Sequence, residues 1–187
     1  MKYLLVIALL FFYNYKAFAE NFLIANPQMQ DSRFKESVIL LLYHNEFGAS
    51  GLVINKPEKT MNILELFSAA NMPIPENIIN KDLRIFWGGP INNHHLFFIH
   101  SSEYKSKNPI IINNRFSITR SSDILYDIAN DKGPDKFIIV KGFSVWSPGQ
   151  LNEELNRNSW EEMKDIYLNI FDNNKNIWQI LINSQGV

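Results

Sequence analysis

Three histidines, His94, His95 and His100, and a Gly-Gly-Pro turn at Gly88, Gly89 and Pro90 share the sixteen-residue stretch IFWGGPINNHHLFFIH, residues 85–100. Imidazoles at that density are the usual material of a transition-metal site, and a glycine-rich turn is that of a phosphate cradle. The flanking segments LRIFW and HLFFIH read as strands, however, so neighbouring His94 and His95 point to opposite faces and cannot hold one ion without a bulge. His100 shares a face with His94 only if the strand runs unbroken. A phosphate loop opens into a helix N-terminus, whereas this turn opens into a strand. The stretch therefore predicts neither a metal nor a cofactor.

His44 ends the apolar run SVILLLY beside Asn45 and Glu46. A histidine next to a carboxylate is equipped to act as a general base near neutral pH. No nucleophile with matching spacing accompanies it, and the competing role is to cap a hairpin by hydrogen bonding. Ser144 in GFSVW lacks the glycine two residues on that a nucleophile elbow needs, because Trp146 stands there. Glu153 and Glu154 are adjacent on a polar helix, about 100° apart around its axis, and are expected to be solvated. What remains is a set of loop residues suited to recognition: His44, Asn55, Lys56, Gly88, Gly89, Pro90, Trp146, Gly149 and Gln150. The competing reading makes them turn and cap residues that fix the corners of the fold.

The elements that position them follow from apolar periodicity and turn chemistry. NFLIA and SVILLLY read as strands, the second apolar on both faces, and the turn at Asn45 to Gly48 joins it to GLVIN as a hairpin. Thr60 predicts the cap of a helix from Met61 to about Ala70, with Ile63, Leu64, Phe67 and Ala70 on one face. Ser121 or Ser122 predicts the cap of a second helix through Asn130, packed through Ile124, Leu125, Ile128 and Ala129. FIIVKGF reads as a strand running into Ser147-Pro148, which announces a third helix. Ser159 and Glu162 have capping-box spacing, although IYLNIF at 166–171 alternates as a strand. NIWQILIN predicts a closing helix with Trp178, Leu181 and Ile182 turned inward.

Residues 1–19, with an early lysine, an apolar run from Tyr3 to Tyr13 and the triplet Ala17, Phe18, Ala19, have the pattern of a secretory signal peptide. The run is shorter than the roughly 20 residues a membrane helix needs, so no anchor is expected after its removal. Residues 20–187 then form a single domain, with 16 basic and 19 acidic side chains once Lys2 and Lys16 are gone. The absence of cysteine excludes thiol catalysis and cysteine-based zinc sites. A slight acidity without a Lys/Arg stripe argues against direct nucleic-acid binding.

The segments LIANPQMQDSRFKESVILLLYHNEFGASGLVINKP, IFWGGPI, ITRSSDILYDIA and GFSVWSPGQLNEELNRNSW, taken in order, resemble the YqgE/AlgH family of bacterial proteins over about residues 22–187. The resemblance implies an α+β fold in which a mixed sheet curls into a pseudo-barrel with helices outside, in agreement with the hairpins and helices read above. It implies no agreed biochemical function, and one branch is linked to transcriptional regulation of exopolysaccharide synthesis. Two departures stand out. Typical members look cytosolic and begin close to the LIA strand, and they tend to carry Ala then Gly where this chain has Ser144 and Val145. The sequence thus leads to a non-catalytic binding or regulatory protein with a protein or small-molecule partner, periplasmic or secreted if the leader is used and cytoplasmic otherwise. A hydrolase using His44 in a cleft near Gly88 to Gln150 is the alternative, and a transcriptional regulator the third reading.

Overall fold

A computed structural model describes residues 21–164, 170–171 and 176–185. The leader and most of the IYLNIF segment lie outside the described residues. The strands, in chain order, are β1 (Asn21–Ala25), β2 (Val38–Asn45), β3 (Gly48–Val53), β4 (Pro57–Asn62), β5 (Asp82–Trp87), β6 (Ile91–Ser101), β7 (Ile110–Ile111), β8 (Phe116–Thr119), β9 (Phe137–Trp146) and β10 (Trp160–Lys164). The described helices are α1 (Ile63–Ala69), α2 (Asp123–Ala129), α3 (Gln150–Asn156) and α4 (Ile177–Gln185).

All ten strands join one sheet, ordered β10-β1-β2-β3-β9-β6-β8-β7, with β5 also on β9 and β4 on β5. Every pair among the described strands is antiparallel except β5 with β9. The sheet curls into a half-barrel, as expected. Its concave side holds alternate residues of most strands, among them Phe22, Leu40, Leu52, Phe86, Ile99 and Val140, plugged by Ile177 and Leu181 of α4. Outside, α1 and α2 cover β5, β6 and β9 through Phe67, Leu125 and Ile128. A third cluster joins Ile39, Leu41 and Val53 to Trp146, Leu151 and Trp160. The unbroken apolar run of β2 is thereby explained, since its even positions face the barrel core and its odd positions face this outer layer.

Local expectations met tertiary structure unevenly. The first helix begins at Ile63, after Asn62 and not Thr60. Asn62 Oδ1 accepts from the Leu64 amide at 3.0 Å and the Asn62 amide donates to Glu65 Oε2 at 3.3 Å, a full capping box. Thr60 instead lies in β4, whose sequence PEKTMN carries little strand propensity and is held by pairing with β5. Leu66 replaces Leu64 and Ala70 on the buried face. The second helix spans Asp123–Ala129 with the expected buried stripe. The third starts at Gln150 with Gly149, at φ +78°, in the cap position, so Ser147 and Pro148 belong to the preceding turn. Ser159 and Glu162 form no capping box, because residues 160–164 pair with β1 as a strand.

Candidate functional site

The spine of the structure is β9. Ile139 to Lys141 pair with β5, and Ser144 to Trp146 pair with β3. Gly88 fills the gap where one partner gives way to the other: its amide donates to the Lys141 carbonyl at 2.8 Å and its carbonyl accepts from Val53 at 3.0 Å. A Cβ on Gly88 would stand 2.3 Å from the Gly142 carbonyl oxygen, and one on Gly89 the same distance from the Phe143 carbonyl carbon. The Gly-Gly-Pro motif is a crossing of two backbones, with Gly88 and Gly89 buried and Pro90 exposed.

Apart from the Gly-Gly-Pro crossing, the candidate residues fall into two groups at opposite ends of β3. At one end, His44 pairs with Ala49, which pairs with Trp146. His44 is exposed at the hairpin tip, and the turn itself is capped by Asn45, whose Oδ1 accepts from the Phe47 amide at 2.9 Å. The adjoining corner is built on Glu154. Its Oε2 accepts from the indoles of Trp146 at 3.0 Å and Trp160 at 2.7 Å, and its Oε1 accepts from Gln150 at 3.0 Å. Glu153 is exposed as expected, but Glu154 is half-buried and serves as the brace of this corner. At the other end, Asn55 accepts from the Val38 amide and donates to the Glu36 carbonyl, both at 2.8 Å. The Lys56 ammonium donates to the Arg33 carbonyl at 2.9 Å, and burial holds its pKa below the ordinary lysine value against the pull of Glu36 and Asp31. A strand rises about 3.3 Å per residue, so the six steps from Ala49 to Asn55 separate the two groups by roughly 20 Å.

The histidine-rich stretch divides as well. His94 and His95 are both exposed where β6 slips register between Ile91 and Leu96, with Asn92 at φ +57°. His100 is fully buried. Its Nδ1 faces the Ser101 carbonyl at 3.0 Å, so Nδ1 carries the proton and Nε2 accepts from the Thr119 hydroxyl at 2.9 Å. Thr119 continues the chain to Ser106. Among the described residues, no three His, Cys, Asp or Glu side chains stand together as a metal set. The Ser144 hydroxyl is buried against the Gly88 carbonyl at 3.4 Å.

Sequence reasoning missed a cavity of about 350 Å³ at the mouth of the half-barrel. Its floor is apolar, formed by Ile54, Phe86, Ile138, Ile170 and Ile177, each at most 9% exposed. Its rim is polar, carrying Thr60, Asp82 and Arg84 from β4 and β5, with Asn55 alongside. Positions 82, 84 and 86 share one face of β5, so that face changes from charged to apolar as it enters the barrel. In the segment DLRIFW the alternation Asp, Arg, Phe was the available signal. It gained meaning only once β4 and α4 were known to close the space.

A family model described as AlgH-like matches residues 22–187. A UPF0301 protein of Cereibacter sphaeroides is 37% identical over 139 residues, covering 74% of this chain and 74% of that protein. A UPF0301 protein of Shewanella oneidensis is 35% identical over 173 residues, covering 89% of this chain and 90% of its own. The solution structure of the AlgH protein from Pseudomonas aeruginosa superposes with a TM-score of 0.72 at 32% identity, over 90% of this chain and 88% of that one.

Proposed function

Because the chain belongs to the AlgH-like family, whose half-barrel it shares, we propose that it is a non-catalytic binding protein whose ligand enters the barrel mouth. The observation that carries this reading is the amphipathic cavity: an apolar floor beneath a few convergent polar groups is the usual form of a small-molecule site. Among the described lining residues Asp82 is the one carboxylate, and these include no histidine, serine or lysine to complete a mechanism with it. A hydrolytic role for His44 has less support, since His44 is at an exposed tip and the Ser144 hydroxyl is buried against Gly88. A formal net charge of −1 gives little electrostatic basis for direct regulation of DNA. No described helix is long and apolar enough to cross a membrane. The pattern of residues 1–19 supports export; if the leader is used the ligand is met in the periplasm or outside the cell, and otherwise in the cytoplasm.

The test is a titration with 8-anilinonaphthalene-1-sulfonate, an apolar fluorophore, followed by amide NMR shifts. Saturable binding with shifts at Ile54, Thr60, Arg84 and Ile138 is expected. Thr60→Trp, which fills the rim from an exposed position, is expected to weaken binding about tenfold without lowering the unfolding midpoint. Equal binding by both proteins, or shifts clustered at His44 and Gln150, rejects the cavity as the site.

A further inference from the structure

We infer that the cavity is built for a zwitterionic, dipeptide-sized ligand with an apolar C-terminal side chain, an inference that rests on the reading of the cavity as the ligand site. The two charged groups among its described lining residues, Asp82 and Arg84, have opposite sign and project from the same face of one strand. A simple anion entering to meet Arg84 is repelled by Asp82, and a simple cation meeting Asp82 is repelled by Arg84. A molecule carrying both charges satisfies both groups. Alternate strand positions are about 7 Å apart, which is also the length of a two-residue extended peptide from ammonium to carboxylate. Laid along β5 in the same direction, such a peptide puts its ammonium at Asp82 and its carboxylate at Arg84.

The neighbouring groups fit that placement. Thr60 is the registered partner of Arg84 on β4 and brings a hydroxyl to the same level. Asn62 Nδ2 donates to Asp82 Oδ1 at 3.2 Å, which orients that carboxylate and leaves its other oxygen with acceptor capacity. Arg84 also interacts within the chain, and a guanidinium, with five N–H donors, has the capacity to add a ligand carboxylate to that contact. Beyond Arg84 the same face reaches Phe86, with Ile138 and Ile177 beside it, so the C-terminal side chain of the peptide enters the apolar floor. A cavity of about 350 Å³ lies at the small end of ligand sites, which suits two residues better than a longer peptide.

The probes are leucyl-leucine, its N-acetyl form and its C-terminal amide, titrated into the full chain and read by amide NMR shifts. Leucyl-leucine is expected to bind saturably at the cavity, with acetylation or amidation each weakening it about tenfold, the loss of one charge-assisted contact. In Asp82→Asn acetylation is expected to make no further difference, and in Arg84→Gln amidation none. Equal binding of all three peptides, or an acetylation effect that persists in Asp82→Asn, overturns zwitterion recognition while leaving the cavity as a binding site. If leucyl-leucine fails but anilinonaphthalene sulfonate binds there, the inference falls and the function stands. If neither probe binds, both fall.

Discussion

Glu154 offers the sharpest test of how the corner at the end of β9 is held. Its Oε2 accepts from two indoles, at 3.0 Å from Trp146 and 2.7 Å from Trp160, and both tryptophans are only 4% exposed. Replacing it with alanine leaves two buried N–H donors without acceptors. A stranded buried donor costs about 1–3 kcal/mol, so Glu154→Ala is expected to lose about 3 kcal/mol. Glu154→Gln separates acceptor from charge: its amide oxygen takes the Oε2 position and keeps both indoles, while its NH2 faces that of Gln150. The expected loss is then about 1 kcal/mol. Urea unfolding followed by tryptophan fluorescence reads both. With a slope of about 2 kcal/mol per molar, the midpoint falls by about 1.5 M for alanine and about 0.5 M for glutamine. Equal losses in the two variants, or an alanine midpoint within about 0.3 M of the parent, would show that the indoles do not depend on this carboxylate.

Three further outcomes follow from the geometry. Gly88→Ala places a methyl 2.3 Å from the Gly142 carbonyl and 2.4 Å from Val140 Cγ1, and is expected to cost about 3 kcal/mol in thermal or urea unfolding. Gly149→Ala, at φ +78° with nothing within 4 Å, carries only the left-handed strain of about 1 kcal/mol. Burial lowers the His100 pKa below the ordinary 6.5, against smaller opposing effects of the Ser101 carbonyl and Glu103. The unfolded chain therefore binds more protons as pH falls below that value, so stability is greatest above it and declines toward the folded pKa on acidification. His100→Gln is expected to flatten that part of a stability-against-pH curve, and an unchanged slope counts against the assignment. N-terminal sequencing of the protein expressed from Met1 in a Gram-negative host is expected to give a periplasmic chain starting at Glu20; a cytoplasmic chain with Met1 intact refutes export.

Periodicity made legible whatever depends on one segment and the side it buries. The two-sided burial of β2, the stripe of Ile124, Leu125 and Ile128, and the inward turn of Trp178 and Leu181 each follow from apolar spacing. The sequence also rejected a phosphate loop at Gly88, because the strand that follows is written in its own residues. Beyond those segments, partners distant in the chain made the choice. PEKTMN becomes β4 because β5 is available, and β5 stays in place because Ile85 meets Ile139 in the one parallel pairing among the described strands. Such pairing is a long-range choice that no local propensity encodes. Glu154 looked like a solvated helical carboxylate until the return of β10 brought Trp160 beside Trp146. The cavity has the same origin. Asp82 and Arg84 are ordinary charges on an edge of sequence, and they form a rim because the sheet curls and α4 closes the space beneath them. Local spacing decides which face of an element is apolar, and only closure of the barrel decides what that face encloses.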